Sequence, residues 1–202
     1  MNSKPFKIEY LPGATLLTAE EREELIPDYI STHGELNELE QQNIQNAVLW
    51  LHRKRKKNIL DQGFVYELHK QMFNEVWSWA GNGRTSGKNI GIDWHHISTQ
   101  LAQLIADTRF WIEHQSFSFD EIATRFHHRL VQIHVFPNGN GRHARLMTDL
   151  LLEAHDHPAF SWGMNASPTP IENESDRRKN YISALKAADQ RSYAQLLAFV
   201  RS

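Results

Sequence analysis

The densest chemistry in the sequence lies in HVFPNGNGRHAR, residues 134–145. His134 is an imidazole able to take a proton near neutral pH. Gly139 and Gly141 flank Asn140, so a main chain without Cβ atoms can approach a ligand and turn its N–H groups toward an anion. Arg142 and Arg145 are three apart, neighbours on one helix face. A pair of guanidinium forks above such a nest is suited to phosphate oxygens. A base at one end and a polyphosphate grip at the other point to phosphoryl or nucleotidyl transfer to a hydroxyl. The competing reading is an ordinary helical corner with a capping glycine and solvated arginines. Against it, H-x-F-x-x-G-N-G-R-x-x-R fixes seven positions, and average usage puts a chance match on the order of 10⁻⁷ per chain.

Helices must hold this loop. Ile122, Ala123, Phe126, Leu130 and Val131 recur at helical spacing before it, and Leu146, Leu150, Leu151 and Ala154 continue a helix after it. The unpaired N–H groups and positive end of that second helix would face the loop. Upstream, the period predicts helices over 35–52 (Leu36, Leu39, Ile44, Ala47, Val48, Leu51), from Phe64 to Val76, and from Ile97 to Thr108. Thr18 followed by Ala-Glu-Glu is a capping-box pattern for a short acidic helix ending near Pro27. GKNIGIDW (87–94) alternates like a short hairpin. A Pro- and Gly-containing loop over 156–170 precedes two last helices, about 173–188 and 190–200. The basic run HRKRKKN (52–58) complements a helix C-terminus and stays solvated.

The chain has 202 residues, 40% hydrophobic and 23% charged, enough for a packed core and unlike a disordered protein. A net charge of −2 argues against bulk attraction to nucleic acid or to a membrane surface. Cysteine is absent, which removes disulfides, thiolate metal sites and a cysteine nucleophile. The start shows no apolar signal region and no 18-residue apolar run occurs, so the expectation is a cytoplasmic protein without a membrane span.

The motif resembles that of the Fic family, H-x-F-x-[D/E]-G-N-G-R-x-x-R between two helices. LHKQMFNEVWSWAGNGRT (68–85), FHHRLVQIH (126–134) and NYISALKAAD (180–189) are similar to family segments, so the resemblance covers most of 60–200. PGATLLTAEEREELIP and STHGELNELEQQNI resemble the subgroup labelled mobile mystery protein B. The resemblance implies an all-α fold, a Fic-type helical core with a small β-hairpin flap. Residues 1–58 would be an N-terminal arm and helices with a possible inhibitory helix, and 59–202 the core. It implies transfer of AMP from ATP, with Mg²⁺, to a hydroxyl of a protein target whose identity the sequence leaves open, self-modification included.

In that scheme His134 is the general base. Gly139, Asn140 and Gly141 cradle the α/β-phosphates, Arg142 reaches the β/γ-phosphates, Arg145 holds the γ-phosphate, and Phe136 anchors the loop. Asn89, Ile90, Gly91 and Ile92 fall in the flap. The family's acidic Mg²⁺ position is Asn138 here, an amide without charge, which predicts weaker metal binding. Kinase-like relatives carry a lysine where this chain has Gly141, which favours nucleotidyl transfer. STHGE (31–35) resembles the family's inhibitory helix, with Ser31 and Glu35 in register and Glu35 expected on Arg145. Leu36 departs from that pattern, and Glu38 competes. The subgroup implies a companion DNA-binding protein.

Two other function classes remain open at this point. Asn138 supports a catalytically weak Fic-fold protein that only binds nucleotide. Twelve histidines, with His127, His128, His134 and His143 crowding the motif, raise a metal-dependent hydrolase. Adjacent histidines on a helix point different ways, however, and no HExxH spacing occurs.

Overall fold

A computed structural model describes residues 23–29, 33–54, 57–164 and 175–202. The architecture is all-α. Seven α-helices occur among the described residues: α1 His33–Arg53, α2 Gln62–Phe73, α3 Ile97–Glu113, α4 Phe119–Ile133, α5 Asn140–Glu153, α6 Ser175–Asp189 and α7 Ala194–Val200. Residues 18–22 of the helix expected from Thr18, Ser31, and residues 165–170 of the loop expected over 156–170 lie outside those residues.

The expected hairpin is corrected. Residues 87–93 contain no strand, only bends over 89–92, and are followed by one 3₁₀ turn at Trp94–His96. The physical reason is a side chain. Arg84 bonds the carbonyls of Ser86 and Ile92, and this takes the place of a cross-strand ladder. Gly91, at φ +95°, adds a left-handed turn that the alternating pattern does not reveal.

The chain divides into two compact units, residues 1–97 with 134–143, and residues 98–133 with 144–202. In the first, Asp61 caps α2 by accepting from the Phe64 N–H at 3.1 Å. Phe64, Val65, Leu68, Met72 and Phe73 then recur along one buried face, and α1 packs on α2. Asn43 of α1 is buried and closes the end of α2, donating to Gln71 O at 3.0 Å and accepting from Glu75 N at 2.8 Å. The buried stripe of α1 is therefore Leu36, Glu40, Asn43, Ala47 and Leu51, two of them polar. Leu39, Ile44 and Val48, expected there, are only half-buried.

In the second unit Ala123, Leu152, Phe160, Trp162, Tyr181, Ala184, Leu196 and Val200 form one apolar cluster. His127 Nε2 lies 2.8 Å from the Tyr181 hydroxyl, and Asp149 accepts from Trp162 Nε1 at 3.0 Å and Phe160 N at 3.2 Å. Arg201 forks onto Asp120, joining the C-terminal turn to the start of α4. No helix among the described residues is long and apolar enough to cross a membrane.

Candidate active site

The motif loop begins where α4 stops. His134 takes a left-handed backbone, φ +55°, a conformation that costs a residue with a Cβ about 1–2 kcal/mol and that usually ends helices at glycine. Here a histidine occupies it, buried to 4% exposure. The Arg84 Nε donates to its carbonyl at 2.6 Å, and the Arg84 main-chain N–H donates to Val135 O at 2.9 Å. Gly91 lies flat on the same residue, since a Cβ at 91 would come within 2.6 Å of the His134 Cβ. The structure thus brings two expected flap residues, Gly91 and Ile92, to the expected base. Asn89 and Ile90 are exposed beside them.

Two devices shape the turn itself. Asn140 accepts from Phe136 N at 2.9 Å and donates to Phe136 O at 2.7 Å. Its amide thereby imitates a strand partner and closes the loop on itself, so the Asn140 side chain is spent on the loop and its main chain is left as the part that could meet a ligand. Gly139, at φ +76°, accepts from His143 N at 2.9 Å and so starts α5. A Cβ there would meet the Phe73 ring at 2.6 Å, so residue 139 must be glycine. The first-turn N–H groups of Asn140, Gly141 and Arg142 have no intrahelical acceptor by position. Such N–H groups are suited to an anion.

Beneath the loop sits a residue that the sequence reading did not single out. His69 of α2 is fully buried and stacked on Phe136, with ring centroids 3.6 Å apart and planes 13° apart. Its Nδ1 accepts from Gly81 N at 3.0 Å, so its Nε2 carries the proton and donates to Asn138 O at 3.1 Å. Burial, followed by the nearby His143, drives its pKa well below the usual imidazole value. His143 donates to Val65 O at 2.9 Å, and burial pushes it down to about 3. Both imidazoles are therefore neutral near pH 7, with His69 bonded to the loop at Asn138 O. The signal for His69 was a polar side chain on the apolar face of α2, flanked by Leu68 and Phe73.

Arg142 leaves the first turn of α5 and meets Glu40 of α1 at 2.7 Å, while its guanidinium lies 4.9 Å from the Phe73 ring centre. Glu40 is 3% exposed and also accepts from Trp77 Nε1 at 2.8 Å. Glu40, which the inhibitory pattern passes over, is thus an acidic residue set on a motif arginine. Glu35 and Glu38 are both exposed on the first turns of α1. Arg145 belongs to the second unit, its guanidinium 5.8 Å from the Tyr181 ring centre.

The donor set at position 138 does not fit a resident divalent ion. The Asn138 side-chain oxygen accepts from the next N–H, Gly139, at 2.7 Å, and brings no charge. Among the described residues no group of three His, Cys, Asp or Glu is placed to hold a metal. The histidines that raised a hydrolase are spent elsewhere: His127 on Tyr181, His128 on Asp189 at 2.9 Å, His143 on Val65.

Comparison with known proteins agrees with this geometry. Residues 59–152 match the model of the Fic/DOC family. Among solved structures, the BepC effector of Bartonella tribocorum, with bound AMPPNP, superposes with a TM-score of 0.67 at 18% identity, covering 91% of this chain and 97% of that one. The N-terminal Fic domain of a putative cell filamentation protein from Bartonella quintana gives 0.67 at 16%, over 90% and 91% of the two chains. Fic-1 of C. elegans gives 0.63 at 21%, over 90% of this chain and 51% of that one. At these identities the structures speak for the fold, and the match over 59–152 speaks for the family. Residues 59–152 are a domain of the Fic/DOC family.

Proposed function

We propose that this chain is a protein adenylyltransferase, moving AMP from ATP to a hydroxyl side chain of a protein. Family membership supports an enzyme of the nucleotidyl- or phosphotransferase kind. The AMPPNP bound to the similar BepC effector supports a nucleotide in the loop. The observation that carries the reading is the run from His134 to Arg142. It joins an imidazole at one end to a glycine-shaped main chain and a first helical turn at the other, held from below by His69 and Asn140.

In the reaction the target hydroxyl oxygen attacks the α-phosphorus and the Pα–O–Pβ bond breaks. Pyrophosphate leaves, and the hydroxyl proton passes to His134. The N–H groups of the α5 first turn and the Arg142 and Arg145 guanidiniums balance the phosphate charge. ATP enters with the Mg²⁺ that its own phosphates carry, and Asn138 adds at most one neutral ligand. Residues 89–92, lying along His134, would receive the target segment through main-chain hydrogen bonds. The target is this protein itself or a partner, and the companion DNA-binding protein is the first partner to try. A cytoplasmic location and the mobile mystery protein B subgroup belong to the same proposal.

The ion pair of Glu40 with Arg142 supports a resting state in which a motif arginine is withheld from nucleotide. Glu35 remains the candidate for Arg145. The test is the intact mass of the protein after incubation with ATP and Mg²⁺, run on wild type, Glu35→Gly, Glu40→Gln and His134→Ala. An AMP-sized adduct in the relieved variants, absent in His134→Ala, is the expected result. A phosphate-sized adduct would move the reaction to the kinase side. ATP binding without any covalent product on the protein or on a supplied partner would leave the binding-only reading standing.

A further inference from the structure

We infer that Arg84 is a positioning residue for the catalytic base, holding His134 in its left-handed backbone and fastening residues 86–92 to it. The inference rests on the reading of His134 as the base. Arg84 is 3% exposed, and a buried cation is expensive unless its donors are bonded. Each of its three side-chain nitrogens donates to a main-chain carbonyl. Nε bonds His134 O at 2.6 Å, one terminal nitrogen bonds Ser86 O at 3.0 Å, and the other bonds Ile92 O. With its own N–H on Val135 O at 2.9 Å, Arg84 grips two successive carbonyls and so sets the orientation of the peptide after His134.

The arrangement has a purpose that packing alone does not require. Left-handed backbone is unfavourable for histidine, and a charge-assisted bond to its carbonyl offsets that cost. The same fork draws Ile92 in and brings Gly91 down on the His134 Cβ, where only a glycine fits. One guanidinium thus sets both the base and the segment beside it, so the two cannot move independently. Lysine cannot reproduce this, because a single ammonium lacks a fork spanning three carbonyls in different directions.

The test compares Arg84→Lys and Arg84→Ala with wild type, and uses His134→Ala to assign the His134 ring resonances by NMR. The expected result in both Arg84 variants is displaced His134 resonances and amide exchange over 86–92 faster by at least tenfold. AMP transfer should show kcat down about 100-fold, with the KM for ATP changed less than threefold. If Arg84→Ala does not fold, Arg84→Lys decides. Unchanged His134 resonances and unchanged exchange over 86–92 in Arg84→Lys would overturn the inference. So would a rise in KM for ATP at constant kcat. Should wild type transfer no group at all, the proposed function fails, while the resonances and exchange rates still judge Arg84.

Discussion

Lowering the pH from 7 to 5 is expected to cost this fold several kcal/mol, through histidines rather than carboxylates. His69, His127 and His143 are buried and neutral, with pKa values pushed well below the usual range for His69 and to about 3 for the other two. An unfolded imidazole starts to bind a proton below about 6.5, while the folded ones refuse it. The stability they confer is therefore complete above the unfolded value and lost as pH falls toward the folded ones. Between pH 7 and 5 His127 and His143 each cost about 2 kcal/mol by linkage, together about 4, and His69 acts in the same direction. Asp149 opposes them. Burial raises its carboxyl to about 6, so its folded form takes up a proton first and returns about 1 kcal/mol over the same interval. The net loss from His127, His143 and Asp149 is about 3 kcal/mol, with His69 adding to it, which is a large fraction of the stability of a small domain. Urea unfolding followed by circular dichroism at pH 7, 6 and 5 measures it. His143→Gln, which can still donate to Val65 O, should flatten the change by about 2 kcal/mol. A urea midpoint that stays put between pH 7 and 5, or a pH slope indifferent to His143→Gln, would refute the reasoning.

The motif loop supports three further tests. Gly139→Ala forces a Cβ against the Phe73 ring at φ +76°, and should cost about 1–3 kcal/mol of stability and weaken ATP binding at least tenfold by calorimetry. ATP affinity at the wild-type level would mean that the loop is not the nucleotide site. Asn138→Asp supplies the carboxylate that a magnesium site ordinarily has. Titrating Mg²⁺ against ATP binding should then show a steeper metal dependence, and an identical titration would show that position 138 does not face the metal. Glu40→Gln breaks a pair that is buried on the Glu40 side and partly exposed on the Arg142 side. It should lower stability by about 1–3 kcal/mol while tightening ATP binding severalfold, and weaker ATP binding would assign Glu40 to support rather than restraint.

The sequence by itself determined the helices and the residue types gathered in the motif loop. Helical period needs only local spacing, so the expected ranges near 35–52, 64–76 and 97–108 correspond to α1, α2 and the first part of α3. The candidates His134, Gly139 and Arg142 were legible because their residue types suggest a use: an imidazole, a position without a Cβ, a fixed cation. The tertiary structure decided what lies beneath and beside them. His69, Arg84 and Glu40 act through carbonyls or charges reached across 69, 50 and 102 positions of the chain, and no local pattern encodes a partner at that distance. The same reason explains the lost hairpin and the altered stripe of α1. The alternation at 87–94 would suit a ladder, but one buried guanidinium satisfies those carbonyls first. Polar residues enter the buried face of α1 because the end of α2, Trp77 and Arg142 offer them hydrogen bonds there. Spacing along a chain reports what a segment can become, and only packing reports which groups it will face.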